Sequence, residues 1–200
     1  MGTVGLLIDR LIARVALWFA RIGGVMILLI AVIVCGDIAA RNLLNTVIFN
    51  SFEYSIYLFA AAVAFGFSHA LVTRANIRID VVYFLFPQSV RRAVDFIALV
   101  CLAAVGALFS FKAWDLAIEN AMRGVTSNSA LAVPLALPQS FWALGMTAFA
   151  LTAMLLLLRH GFLALSGRGP AADALAGIAR EGESELAEHA RPAVDTETGR

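Results

Sequence analysis

The chain has 200 residues, of which 61% are hydrophobic and only 14% are charged. A typical soluble domain carries about 25% charged residues, and a chain this short has too small an interior to hide so much apolar surface from water. The 15 basic and 14 acidic residues nearly cancel, which excludes the strong positive field of a nucleic-acid-binding protein. The composition therefore indicates a protein whose apolar side chains face lipid.

Four apolar segments are long enough to cross the hydrocarbon core of a bilayer as helices, which takes ~20 residues for ~30 Å. They cover about residues 15–36, 54–73, 94–111 and 138–158. Within lipid every backbone N–H and C=O needs an internal partner, and no alternating barrel pattern is present, so each segment is predicted to be helical. The predicted fold class is an all-α integral membrane protein with four transmembrane helices.

The basic residues between the spans predict the orientation. One side of the membrane receives Arg10, Arg14, Arg21, Arg74, Arg78, Arg91, Arg92, Arg159 and Arg168, and the other receives Arg41, Lys112 and Arg123. Because cytoplasmic loops carry the excess of Lys and Arg, both termini are predicted to lie in the cytoplasm. The end of each helix that is predicted to face the cytoplasm is called the inner end below, and the opposite end the outer end.

Three regions are predicted along the chain. Residues 1–14 form an amphipathic cytoplasmic helical entry to the first span, and Arg21 is expected near the inner end with its side chain snorkelling to head groups. Residues 15–165 form the four-helix membrane domain. Residues 166–200 form an acidic cytoplasmic tail with too few large apolar side chains to pack, so we expect it to be disordered and dispensable.

The sequence contains few groups that could carry chemistry. His69 and His160 lie near the inner ends of two spans, where they could clamp a haem, although His160 beside Arg159 is more simply a solvated helix-end residue. No catalytic triad, nucleotide loop or metal-ligand spacing is present, and no cofactor is predicted. Cys35 and Cys101 fall in different spans and are expected to be two packed free thiols.

Two sets of charged residues each allow two interpretations, either a local structural role or a contact with a partner. Asp37 and Arg41 are four residues apart, so they can form an ion pair at a helix end or contact another subunit. A stripe at the outer end of the third helix is either a solvated face or a docking surface, and it consists of Lys112, Asp115, Glu119 and Arg123. The uncharged stretch 125–137 is expected to lie in the membrane interface or under a partner.

The second span has two contrasting faces. One carries the small residues Ala60, Ala64 and Ser68, with Ala62 and Gly66 beside them, and the other carries Phe59, Val63 and Phe67. Small residues let helix backbones approach closely in lipid, so the small face is predicted to pack within this chain. The bulky face is predicted to meet lipid or a partner.

Several short motifs stand near the ends of the spans. They are Arg41-Asn42 after the first span, Phe52-Glu53 at the start of the second, the run from Arg74 to Asp80, then Pro87 and Arg91, and finally Ser129, Pro134 and Pro138-Gln139 before the fourth. Together they resemble the DctQ family, the small membrane subunit of tripartite ATP-independent periplasmic (TRAP) transporters. They cover roughly residues 10–160. As candidate family-motif or subunit-interface positions we take Asp37, Arg41, Glu53, Arg74, Asp80, Arg91, Pro134, Pro138 and Gln139.

The resemblance implies partners and a division of labour. A large (DctM-type) membrane subunit would carry the substrate and sodium sites and move, this chain would be a static scaffold in the phospholipid bilayer of the bacterial inner membrane, and a periplasmic solute-binding protein would deliver an organic acid anion. An enzymatic activity is not expected. The competing hypothesis is a stand-alone membrane protein, either a haem-binding electron carrier or a small channel.

Overall fold

The computed structural model describes residues 3–44, 50–73, 86–128, 132–167 and residue 175, with the side chains of the first helix described from Leu7 onward. It contains four helices: α1 Thr3–Leu44, α2 Ser51–Val72, α3 Gln88–Arg123 and α4 Ala136–Leu165. Each is long and apolar enough to cross a membrane, and the described residues contain no β-strand beyond one isolated bridge. The predicted fold class is therefore confirmed.

The helix ends follow from local backbone chemistry. Glu53 lies in the first turn of α2, where the helix dipole favours a negative charge. Pro87 precedes α3 in an extended conformation with φ −63°, which is the angle to which the proline ring restricts the backbone. Gly124 ends α3 with φ 61°, and the N–H of Val125 bonds to Asn120 O at 3.0 Å, which is a Schellman motif.

Two of the helices are much longer than a bilayer requires. α1 has 42 residues and α3 has 36, or ~63 Å and ~54 Å at ~1.5 Å per residue. α1 continues without a break from Thr3 through the predicted entry segment into the span. Both helices therefore project beyond the ~30 Å hydrocarbon core or cross it at a tilt.

The helices pack in the order α1, α2, α4, α3, with α1 and α4 also meeting at a few positions. α1 approaches α2 at Gly23, where an added Cβ would lie 2.8 Å from Ala62 O. α2 approaches α4 at Gly145, where an added Cβ would lie 2.6 Å from Ala64 Cβ. Because membrane helices associate through close backbone packing, these glycines fix the register of the neighbouring helices.

The third contact, between α3 and α4, follows the same principle. A Cβ on Gly106 would lie 3.1 Å from the ring of Phe149 and 3.3 Å from Ala150 Cα. The buried stripe of α3 consists mostly of small residues: Asp95, Leu99, Ala103, Gly106, Ser110, Ala113 and Ala117. A small-residue side therefore joins α3 to its neighbour.

The small face of α2 is confirmed at two of its three positions. Ala64 and Ser68 are fully buried, but Ala60 is exposed and Ala61 and Ala62 are buried instead. The difference arises because α2 packs between α1 and α4, so its buried arc is turned away from Ala60. The bulky face, Phe59, Val63 and Phe67, is exposed as predicted.

A cluster of buried apolar side chains joins α2, α3 and α4 in their inner halves. It contains Leu71, Leu99, Ala103, Ala153 and Leu156. Leu175, a half-buried residue in helical conformation, packs against it. Of the predicted disordered tail, the other residues after Gly167 lie outside the described part of the chain.

Candidate functional site

A buried carboxylate ties the outer end of α1 to the start of α2. Asp37 is 2% exposed, and its Oδ2 accepts hydrogen bonds from Arg41 Nε at 3.0 Å and Ser51 Oγ at 2.7 Å. Arg41 Nη2 lies 2.9 Å from the same oxygen. The predicted ion pair is confirmed, and charge-assisted bonds compensate the burial of the carboxylate. The contact with Ser51 was missed, because that residue belongs to the next helix and no local spacing connects it to Asp37.

A second carboxylate, Glu53, anchors the start of α2. Tyr57 Oη donates to Glu53 Oε1 at 2.9 Å, and Asn50 Nδ2 donates to Oε2 at 3.3 Å. The Tyr57 side chain also interacts with that of Ser127, in the segment that follows α3. We call Asp37, Arg41, Ser51, Glu53 and Tyr57 the outer network, because together they join α1, α2 and that segment.

The segment between α3 and α4 doubles back on itself. Thr126 and Pro134 form an antiparallel bridge, and Ser127 N donates to Val133 O at 2.9 Å. Leu135 N closes the turn on Val125 O at 3.1 Å. Pro134, one of the candidate positions, therefore lies exposed in a short connection held at the outer end of the helices.

The two other candidate residues of this region open α4. Pro138 lies in the first turn of α4, where a backbone N–H has no carbonyl partner within the helix. The N–H that proline lacks therefore costs no helical hydrogen bond. Gln139 Oε1 accepts a bond from Asn120 Nδ2 at 2.8 Å, which joins the outer ends of α3 and α4. Both positions thus have clear structural roles.

At the inner end the structure describes only part of the candidate set. Arg91 Nε donates to Phe86 O at 2.7 Å, just before α3 begins. Arg74 and Asp80 lie outside the described residues. Asp95 lies near the start of the predicted third span and is 5% exposed within α3.

An ion pair that sequence analysis missed joins α1 to α4 at the inner end. Arg159 Nε lies 2.9 Å from Asp9 Oδ1, and its Nη2 lies 2.6 Å from Oδ2. This fork-to-fork geometry is the strongest arrangement of guanidinium and carboxylate. The partners lie on the first and the last helix of the chain, so no spacing rule could have paired them.

The position of His160 corrects the expectation of a solvated end residue. It is 1% exposed, and its ring stacks on Phe96 of α3 with centroids 6.2 Å apart. The reason is that α4 continues to Leu165, which carries this residue into the α3–α4 contact. His69 is partly exposed near the inner end of α2. No cluster of three metal-ligating side chains occurs in the part of the chain that the structure describes.

Arg21 also differs from its prediction. Gly23 contacts Ala62, which lies midway between Ser51 and Val72, the two ends of α2. Arg21, two residues earlier on α1, is therefore level with the middle of α2 and not with its inner end. Arg21 is an exposed residue, and its guanidinium carbon lies 5.3 Å from the centre of the Trp18 ring.

The charged stripe of α3 pairs within its own helix. Lys112 Nζ lies 3.2 Å from Asp115 Oδ2, and Arg123 Nη2 lies 2.7 Å from Glu119 Oε1. All four side chains are about half exposed or more, so the pairs contribute little stability. Cys35 and Cys101 are free, as predicted, but both are exposed and not packed within the chain.

Comparison with protein-family models identifies the chain over residues 30–161, which match the DctQ component of tripartite ATP-independent periplasmic transporters. The chain belongs to the DctQ family. It is thus a transporter component and a multi-pass membrane protein. Neither the curated proteins nor the solved structures gave a significant match. The DctQ match covers the outer network and Arg159, whereas Asp9 and Arg21 precede it.

Proposed function

We propose that this chain is the small permease subunit of a TRAP-type secondary transporter and acts as a scaffold for a large membrane subunit. The large subunit performs sodium-coupled uptake of an organic acid anion delivered by a periplasmic solute-binding protein. The assembly lies in the bacterial inner membrane, with both termini of this chain in the cytoplasm. The DctQ match over 30–161 is the observation that carries the proposal.

The distribution of polar groups supports a scaffold role for this chain and not a transport site within it. A transport site needs ion- or solute-binding groups near the middle of the bilayer. In the described residues the buried carboxylates belong to helix ends: Asp37 and Glu53 at the outer end and Asp95 in the inner part of α3. The mid-depth polar contacts link Ser110 and Trp114 to Thr147 and hold α3 against α4. Such groups hold helices together, as a static support requires.

Co-expression with the large subunit tests the assignment. We expect the two to co-purify in a mild detergent, deletion of this chain to abolish uptake, and liposomes that hold only this chain to show no solute-coupled sodium flux. Flux from the chain alone would refute the scaffold role. A Soret band in the purified chain would instead favour the haem-binding alternative.

Reporter fusions test the orientation separately. Fusions after Asn50, Val90, Ser127 and Gly167 are expected to report outside, inside, outside and inside. Any other order contradicts the proposed topology, because four spans with an inner N-terminus allow only this one.

A further inference from the structure

Arg21 lies at a depth where a cation needs a partner. On α1 it stands between Asp9, in the inner ion pair, and Asp37, in the outer network. The separations along the helix axis are ~18 Å to Asp9 and ~24 Å to Asp37 at ~1.5 Å per residue. A ~30 Å hydrocarbon core centred between the two charged ends places Arg21 ~12 Å inside it. The contact of Gly23 with the middle of α2 gives the same depth independently.

The side of α1 that carries Arg21 is exposed. Trp18, Arg21, Val25 and Leu28 recur at helical spacing, and all four are exposed, whereas Ala16 and Gly23 are buried against the rest of the chain. The guanidinium of Arg21 contacts the Trp18 ring. Among the described residues, no carboxylate lies within ion-pair distance of it.

The Arg21 side chain does not reach the lipid head groups by snorkelling. Trp18 is one turn nearer the inner end, only ~4.5 Å along the helix, and the guanidinium lies beside its ring. The head groups are several ångströms further. Arginines at such depth in membrane proteins face other protein helices or water and pair with acidic or carbonyl groups.

We infer that the face of α1 with Trp18, Arg21, Val25 and Leu28 packs against a membrane helix of the large subunit, which presents a carboxylate to Arg21. The inference rests on the proposed function and specifies its interface. A cation on this chain and an acceptor on the partner set the relative depth of the two subunits, since a displacement of one turn along the membrane normal would leave both charges unpaired in lipid.

The test compares two arginines on one helix face. Arg14 lies two turns nearer the inner end than Arg21, points in the same direction and is also exposed, but it reaches the head groups. We would prepare Arg21→Leu, Arg21→Lys and Arg14→Leu. Recovery of the co-expressed large subunit and thermal stability of the isolated chain would be measured for each.

We expect Arg21→Leu to reduce recovery of the large subunit about tenfold or more, because the partner carboxylate would stay buried and unpaired. Arg21→Lys should retain part of the recovery, and Arg14→Leu should stay within about twofold of the wild type. The isolated Arg21→Leu chain should be about as stable as the wild type, because the contact that it loses among the described residues, with the exposed Trp18 ring, is weak.

A photo-activated cross-linker at Val25 gives a second readout, and it should label the large subunit. If Arg21→Leu recovers the large subunit as well as the wild type does, Arg21 does not bind the large subunit and the inference is wrong. The proposed function would still stand. If the wild-type chain fails to recover the large subunit at all, both the inference and the proposed function are wrong.

Discussion

The two helical hairpins of the molecule are held together differently. In the α3–α4 hairpin polar contacts occur at several levels: Asn120 with Gln139, and Ser110 and Trp114 both with Thr147. In the α1–α2 hairpin the described hydrogen bonds belong to the outer end, and the middle is a glycine packed on a backbone carbonyl.

Burial sets α1 apart from the other three helices. Only 11% of the most apolar stretch of α1 is buried within the chain, against 33% for α2 and 28% for α3 and α4. α3 shows its neighbour a nearly continuous stripe of small residues, whereas α1 leaves most of its surface, including Arg21, uncovered. α1 is thus the helix that leaves the largest share of its apolar surface uncovered by the rest of the chain.

The contact between the hairpins should give the largest effect. Replacing Gly145 by Leu would place side-chain atoms where an added Cβ already lies 2.6 Å from Ala64 Cβ. We expect a loss of ~3 kcal/mol in the stability of the isolated chain, because overpacking forces helix backbones apart. Thermal unfolding in detergent measures it, with Gly66→Leu as control, since nothing lies within 4 Å of a Cβ there. Equal stability of the two variants would contradict the α2–α4 contact.

The outer network should give the next largest effect. Asp37→Ala removes the acceptor of both Arg41 and Ser51, and we expect a loss of ~2 kcal/mol, as for other charged hydrogen-bonded groups left without a partner. Asp115→Ala is the matched control, because its ion pair with Lys112 is exposed and worth ~0–1 kcal/mol. If the two variants unfold at the same temperature, the network does not hold the α1–α2 hairpin.

Two adjacent glycines separate packing from helix propensity in α1. Gly23→Ala should cost ~1 kcal/mol, because its Cβ would meet Ala62 O at 2.8 Å. Gly24→Ala should stabilise the chain by ~0.5 kcal/mol, since its Cβ meets nothing and alanine is the better helix former. The same sign for both substitutions in thermal unfolding would show that α1 and α2 pack in another register.

The mid-depth contact of α3 and α4 should give the smallest effect. Thr147→Val removes the hydroxyl shared by Ser110 and Trp114, and interhelical bonds of this kind average ~0.6 kcal/mol in membranes. Thr152→Val is the control, because Thr152 bonds to Ala148 O of its own helix. A greater loss for Thr152→Val would mean that the shared hydroxyl does not join the helices.

The sequence was sufficient for features that depend on one segment. The spans follow from apolar length, and the pairs Asp37–Arg41 and Lys112–Asp115 follow from helical spacing. Features that join distant segments could not be predicted, because they depend on the register between helices. Gly23 on Ala62 sets the depth of Arg21, and only the folded chain brings Asp9 to Arg159.

Three contacts along α1 should make this helix resist bending. It is pinned to α4 at Asp9, seated on α2 at Gly23, and pinned again at Asp37, over ~42 Å of its length. A rod held at both ends and at mid-span deflects far less under a sideways load than a rod held at one end. A lateral force on the exposed face of α1 is therefore transmitted to α2 and α4 instead of bending the helix, so the residues of that face keep their positions relative to one another.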